Sequence, residues 1–137
     1  MAKWFQVLEE LTALVYADAE LASLYGENIR ASGTGEKLAP LLEIAFVGDS
    51  ESELWNPITV QFDQFLATAD DLAASELRLR RHFHANLPIA LGGISAWAEY
   101  VDGGSLSIPS LDGYFGRAAR FRLTPLRDYY DPVPPTS

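Results

Sequence analysis

Ile58-Thr59-Val60-Gln61-Phe62-Asp63-Gln64-Phe65-Leu66-Ala67-Thr68-Ala69-Asp70-Asp71-Leu72 is the stretch on which the fold turns. Ile58, Val60 and Phe62 alternate with Thr59, Gln61 and Asp63, and a period of two predicts a strand over 58–67 with one buried and one wet face. Thr68 is a good helix N-cap, and Asp70 and Asp71 fall in the first turn, where the helix dipole favours acids. The helix that follows is expected to run to about Ala85, with Leu72, Leu79 and Phe83 in its apolar stripe. Arg78, Arg80, Arg81, His82 and His84 crowd its later half, as suits a helix C-terminus, and Pro88 and Gly92-Gly93 end the segment.

Working back toward the N-terminus, Gly48-Asp49-Ser50-Glu51-Ser52-Glu53 is polar, acidic and without an apolar side chain, which predicts an exposed loop. Before it, Leu42, Ile44 and Phe46 share one face of a strand over 41–47. A weaker strand over Asn28–Ser32 is expected to pair with it as an antiparallel hairpin around Gly33-Thr34-Gly35. Residues 3–16 have helical spacing: Trp4, Leu8, Leu11 and Val15 form a stripe that Phe5 and Leu14 widen. Asp18 is placed to cap a short second helix through Leu24, with Gly26 marking its end.

Toward the C-terminus two further strands are expected, over Ile94–Val101 and Arg117–Leu123. Asp102-Gly103-Gly104, Pro109, Asp112-Gly113 and Gly116 between them predict a long hairpin connection. Ala119, Phe121 and Leu123 fall on one face of the last strand, Arg120, Arg122 and Thr124 on the other. Residues 131–137, Asp-Pro-Val-Pro-Pro-Thr-Ser, cannot join a sheet interior and are expected to be an extended tail. Antiparallel strands with helices on one side make an α+β layer. The expectation is one domain over residues 1–130: a mainly antiparallel four- to five-stranded sheet with two helices packed on one face.

The 137 residues suffice for one modest core, and 48% apolar with 12% aromatic content is ample to fill it. There is no cysteine, which removes disulfides, thiolate metal sites and a cysteine nucleophile. No apolar run is long enough for a signal peptide or a membrane span, so a soluble product made in a cytoplasm is expected. The net charge of −9 repels phosphates and argues against nucleic-acid binding through Arg78, Arg80 and Arg81.

Motifs for catalysis do not emerge. His82 and His84 point about 200° apart on a helix and cannot share a metal there. Gly33-Thr34-Gly35-Glu36-Lys37 lacks the spacing and the terminal Ser or Thr of a phosphate loop. Asp70 and Asp71 are explained by capping, and there is no nucleophile elbow or dinucleotide fingerprint. No enzyme activity, cofactor or metal is therefore expected. Aromatics are enriched at interfaces; Trp55, Tyr129 and Tyr130 are interface candidates, whereas Trp4 and Trp97 are expected in the core.

Trp55-Asn56-Pro57 through Thr68, with its Val-Gln-apolar-Asp core, resembles the central strand of tail terminator (tail completion) proteins of long-tailed bacteriophages. Ala69-Asp70-Asp71-Leu72 through Leu79-Arg80 is similar to the helix that follows that strand in the family. Gly116-Arg117 to Phe121-Arg122-Leu123 and Tyr129-Tyr130 is similar to its closing pattern. The resemblance implies a structural virion protein of the tail and neck, assembled in the bacterial cytoplasm. It implies a hexameric ring that seats on the last ring of tail-tube protein and meets the head-side connector or stopper. Genomic DNA would pass through the lumen without sequence-specific binding. On this reading Asp49, Glu51, Glu53, Trp55, Arg78, Arg81, Arg120, Arg122, Tyr129 and Tyr130 are interface candidates, the acidic loop serving the lumen or the tube contact. The arginines of the long helix would pair with acids of an adjacent subunit. Two other readings stand beside it: a different ring of the same machine (stopper or tail-tube subunit), and a small cytoplasmic ligand-binding or enzymatic α+β domain.

Overall fold

The computed structural model describes residues 4–33, 37–47, 57–83, 89–91, 94–107, 111 and 113–125. In chain order these form α1 (Trp4–Tyr16), α2 (Ala19–Tyr25), β1 (Ile29–Ala31), β2 (Leu41–Val47), β3 (Ile58–Leu66), α3 (Ala69–His82), β4 (Ile89–Leu91), β5 (Ile94–Leu106) and β6 (Phe115–Pro125). The protein is an α+β layer, with a sheet ordered β1-β2-β3-β6-β5-β4 and antiparallel at every pairing except β1 with β2. The count reaches six strands because two three-residue strands, β1 and β4, border the four long ones.

The period-two pattern of 58–66 does what it predicts. Ile58, Val60, Phe62, Gln64 and Leu66 face the helices, and in register beside them stand Leu123, Phe121, Ala119 and Arg117 of β6. Leu42 and Ile44 of β2 and Ala96 and Ala98 of β5 continue the same side. Onto it pack Val7, Leu11 and Val15 of α1, Leu21 and Tyr25 of α2, Leu79 of α3 and the C-cap residue Phe83, all three helices sharing one face. The α1 stripe is rotated relative to the expected one: Val7, Leu11 and Val15 are fully buried while Leu8 and Leu14 are partly so. The centre is aromatic, with Phe83 stacked on Phe62 at 5.2 Å and Phe121 edge-on to Phe62 at 5.5 Å, geometries that suit the ring quadrupoles.

Caps fix the helix ends. Asp18 accepts from the amides of Glu20 and Leu21 at the start of α2, and Gly26, with φ of 57°, closes it. Thr68 Oγ1 accepts from the Asp71 amide at the start of α3.

Three expectations are corrected. β1 runs parallel to β2, not as its hairpin partner, because the chain between Ala31 and Leu41 returns to the starting end of β1 before β2 begins. The β5–β6 hairpin is longer than expected, since β5 continues to Leu106 and β6 begins at Phe115. Its glycines serve close approach within strands. A Cβ on Gly103 would lie 2.7 Å from Ala118 O and the Tyr100 hydroxyl, and one on Gly116 would lie 2.6 Å from Leu106 O and 2.7 Å from the Phe65 ring. A register shift between Tyr100 and Asp102 lets the strand continue past them. Trp97, expected in the core, is 37% exposed and stands opposite Thr124 on the side away from the helices.

Candidate assembly interface

Among the described residues, the second face of the sheet bears no helix. Its side chains run in cross-strand rows: Val47, Thr59, Arg122 and Glu99; then Ala45, Gln61, Arg120 and Asp102; then Glu43 opposite Asp63; then Leu41, Phe65, Gly116 and Leu106. Leu111 covers the last row, folding back onto Leu41 and Phe65 as a second small core.

Charges on this face are held by neighbours in the same sheet. Arg120 donates to Gln61 Oε1 at 2.8 Å and to Asp102 Oδ1 at 3.0 Å, and Arg122 lies 3.9 Å from Glu99. Glu43, almost fully buried, takes Lys37 on one oxygen and Arg30 at 3.1 Å on the other. Asp63 directly opposes Glu43. Burial, reinforced by the Glu43 charge, raises the Asp63 carboxyl above the usual range against an opposing hydrogen bond from Gln61.

Beneath α3 the polar groups form two connected sets. In the first, Asp18 Oδ2 receives Arg78 through Nε at 3.1 Å and through its terminal nitrogen at 2.7 Å, and lies 2.6 Å from His82 Nε2. Burial acts to raise the Asp18 carboxyl, but hydrogen bonds from His82, the Leu21 amide and Arg78 overcome it and hold the group far below the usual carboxylate range. In the second, Ser75 donates to Gln64 Oε1 at 2.7 Å and so accepts from the Tyr25 hydroxyl at 2.5 Å. Glu76 is bound by Arg117 and by Arg80 at 2.8 Å, and Arg80 lies 3.7 Å over the Tyr100 ring.

These contacts sort the interface candidates. Arg78 pairs with Asp18 and Glu20 of its own chain, and Arg80 with Glu76. Arg81 is exposed at the end of α3. Arg120 and Arg122 come together on the uncovered face, 35% and 50% exposed, available to a partner as well as to Asp102 and Glu99. Asp49, Glu51, Glu53, Trp55, Tyr129 and Tyr130 lie outside the described residues, as does His84. Tyr100 and Arg117 were expected on strands but not as site residues, because their meeting with Arg80 and Glu76 depends on how α3 packs on β5 and β6.

Both sheet edges are short. Leu42 N–H donates to Asn28 O and Ser32 N–H to Ile44 O, so the alternation of a ladder turns the backbone groups of Ile29 and Ala31 outward. Beside that edge a cleft of about 640 Å3 runs between β1 and α1, floored by Thr12, Ala13 and Ala17 and flanked by Tyr16, 42% exposed. No group of acids and histidines among the described residues is arranged to hold a metal ion, and no described helix is long and apolar enough to cross a membrane.

Together these features define a two-layer α+β domain with three helices on one sheet face and no described helix on the other. No protein-family model and no curated protein sequence matches the chain.

Proposed function

We propose that this chain is a structural, non-enzymatic subunit of a long-tailed bacteriophage particle, forming a ring of six that caps the tail tube and joins it to the head-side connector. The observation that supports this best is the sheet face that no described helix covers, between two three-residue edges. A subunit that must touch a neighbour on each side and a second protein above and below needs faces that its own fold leaves free. A heterologous contact of this kind closes by rotation into a ring.

The rows on that face fit the role. Trp97 and Val47, 37% and 41% exposed, give apolar anchors at one end, and Arg120, Arg122, Glu99 and Asp102 surround them with paired charge. Charges already paired within the chain specify register and partner more than they add affinity. The acidic balance of the whole chain, −9, favours a lumen past which DNA slides without adhering.

Tube growth in vitro tests the reading. Purified protein added to polymerising tail-tube subunits is expected to arrest elongation at substoichiometric amounts, with no effect on subunits that have not yet nucleated. Tubes of unchanged length would contradict it.

A further inference from the structure

At the Leu66 end of the helix side the fold leaves a groove of about 400 Å3 open along α3. Its wall is apolar, formed by Ala69, Leu72 and Leu77, and Leu77 is 53% exposed. Ala73, Glu76, Arg80 and Arg117 make up the rest of its lining. Two guanidiniums share one carboxylate there, so the groove is locally cationic on a chain of net charge −9. Both arginines are held in place: Arg80 stacks on Tyr100, and Arg117 donates to the Tyr100 hydroxyl at 3.4 Å. A guanidinium has five N–H donors and Glu76 offers two oxygens, so donors remain for further carboxylates.

The matching occupant is acidic and ends in apolar side chains. Asp49-Ser50-Glu51-Ser52-Glu53-Leu54-Trp55 has that composition in that order. We propose that the groove between α3 and β6 receives the 49–55 segment of a second copy of this chain. In that contact Glu51 and Glu53 meet Arg80 and Arg117, and Leu54-Trp55 lies against Leu72 and Leu77.

The proposed pairing is between copies. The segment leaves β2 at Val47 and enters β3 at Ile58, whereas Arg117 stands in register with Gln64. Ile58 to Gln64 spans about 20 Å along a strand, while a ten-residue loop that must return reaches about 17 Å at its apex. The groove and the two strand ends from which the segment departs thus lie at opposite ends of β3, the polarity a head-to-tail contact requires. The inference rests on the ring reading and specifies which surfaces close the ring.

The cysteine-free chain allows a direct test. The full-length double variant Leu77→Cys, Glu53→Cys is oxidised and run on non-reducing gels, with each single variant as control. A ladder of linked chains from the double variant, at least tenfold above either single, supports the contact. A charge exchange checks it without cross-linking: Arg80→Glu alone and Glu51→Arg with Glu53→Arg each weaken association tenfold or more, and all three together restore it. A native-like ring that yields no ladder and ignores the charge exchange overturns this contact while the ring stands. Failure of the unmodified chain to associate, alone or on tube ends, overturns both.

Discussion

Asp18 and Arg78, sixty positions apart, meet through two hydrogen bonds to a single carboxylate oxygen, at 3.1 and 2.7 Å. The same carboxylate caps α2, so one side chain fixes both the start of that helix and its seat against α3. Asp18→Ala removes a cap and leaves Arg78 and His82 without their partner. Loss of the cap and the pair is expected to cost about 2–4 kcal/mol, since Asp18 is buried but Arg78 is partly hydrated. Urea unfolding of the variant measures it.

The pH dependence follows in sign. The folded Asp18 carboxyl titrates below its unfolded counterpart, so its contribution is fully present above the ordinary carboxylate range and is lost as pH falls below about 4. Asp18→Asn is expected to flatten the acid limb of the stability curve relative to the native chain. An unchanged acid limb would show that other carboxylates set it.

Asp63 has the opposite sign. Its carboxyl is raised by burial and by Glu43 across the strand pair, so it opposes folding at neutral pH and ceases to do so as the pH drops through its folded titration. Asp63→Asn is expected to stabilise the protein at pH 7 by about 0.5–1 kcal/mol, the scale of a like-charge cross-strand pair. The gain should vanish near pH 3, as parallel thermal melts at the two pH values would reveal.

Tyr25, Ser75 and Gln64 form a buried chain of hydrogen bonds linking α2 to α3 and β3. Tyr25→Phe strips Ser75 of its donor at almost constant volume and is expected to cost about 1–2 kcal/mol. Phe83→Ala, which empties the stack against Phe62, is expected to cost about 3–5 kcal/mol. A ranking with Tyr25→Phe the more damaging would mean that the polar chain, not the aromatic cluster, organises this core.

Gly116 lies under the Phe65 ring and against Leu106 O. A methyl group there forces either the ring or the β5–β6 ladder to move, so Gly116→Ala is expected to destabilise by about 1–3 kcal/mol, the scale of overpacking in a well-filled core. Gly113, whose φ of 93° lies outside the strands with open space around it, is strained by any side chain for a different reason. Amide exchange separates the two, because only Gly116→Ala should lower protection in β5 and β6.

Much of the fold was legible where period and caps agree. Ile58 to Leu66, Thr68 with its acidic first turn, Asp18 before α2 and the alternation of Ala119, Phe121 and Leu123 all describe local geometry, and local geometry is written locally. The partner of β1 was expected but its parallel direction was not legible, because three residues carry no period and the path of the chain back to the start of β2 is not written in them. Gly103 and Gly116 misled for a related reason: glycine serves a tight turn and a close backbone approach equally well, and only the tertiary neighbour distinguishes them. Trp97 misled because a large apolar residue on a two-faced strand is assigned to the core by type, whereas its register with Thr124 puts it outside. Arg80 and Glu76 stand four apart on α3, a spacing the sequence displays, whereas the pairing of Arg78 with Asp18 depends on how α2 and α3 pack, which no spacing along one helix encodes.

The most direct measurement of the central claim is native mass spectrometry of the protein alone and bound to tail-tube ends. The account predicts a single ring of six copies per tube end, with no further addition as protein is supplied in excess. Open-ended stacking of many rings would identify a tube subunit instead, and a monomer indifferent to tube ends would contradict the assembly reading altogether.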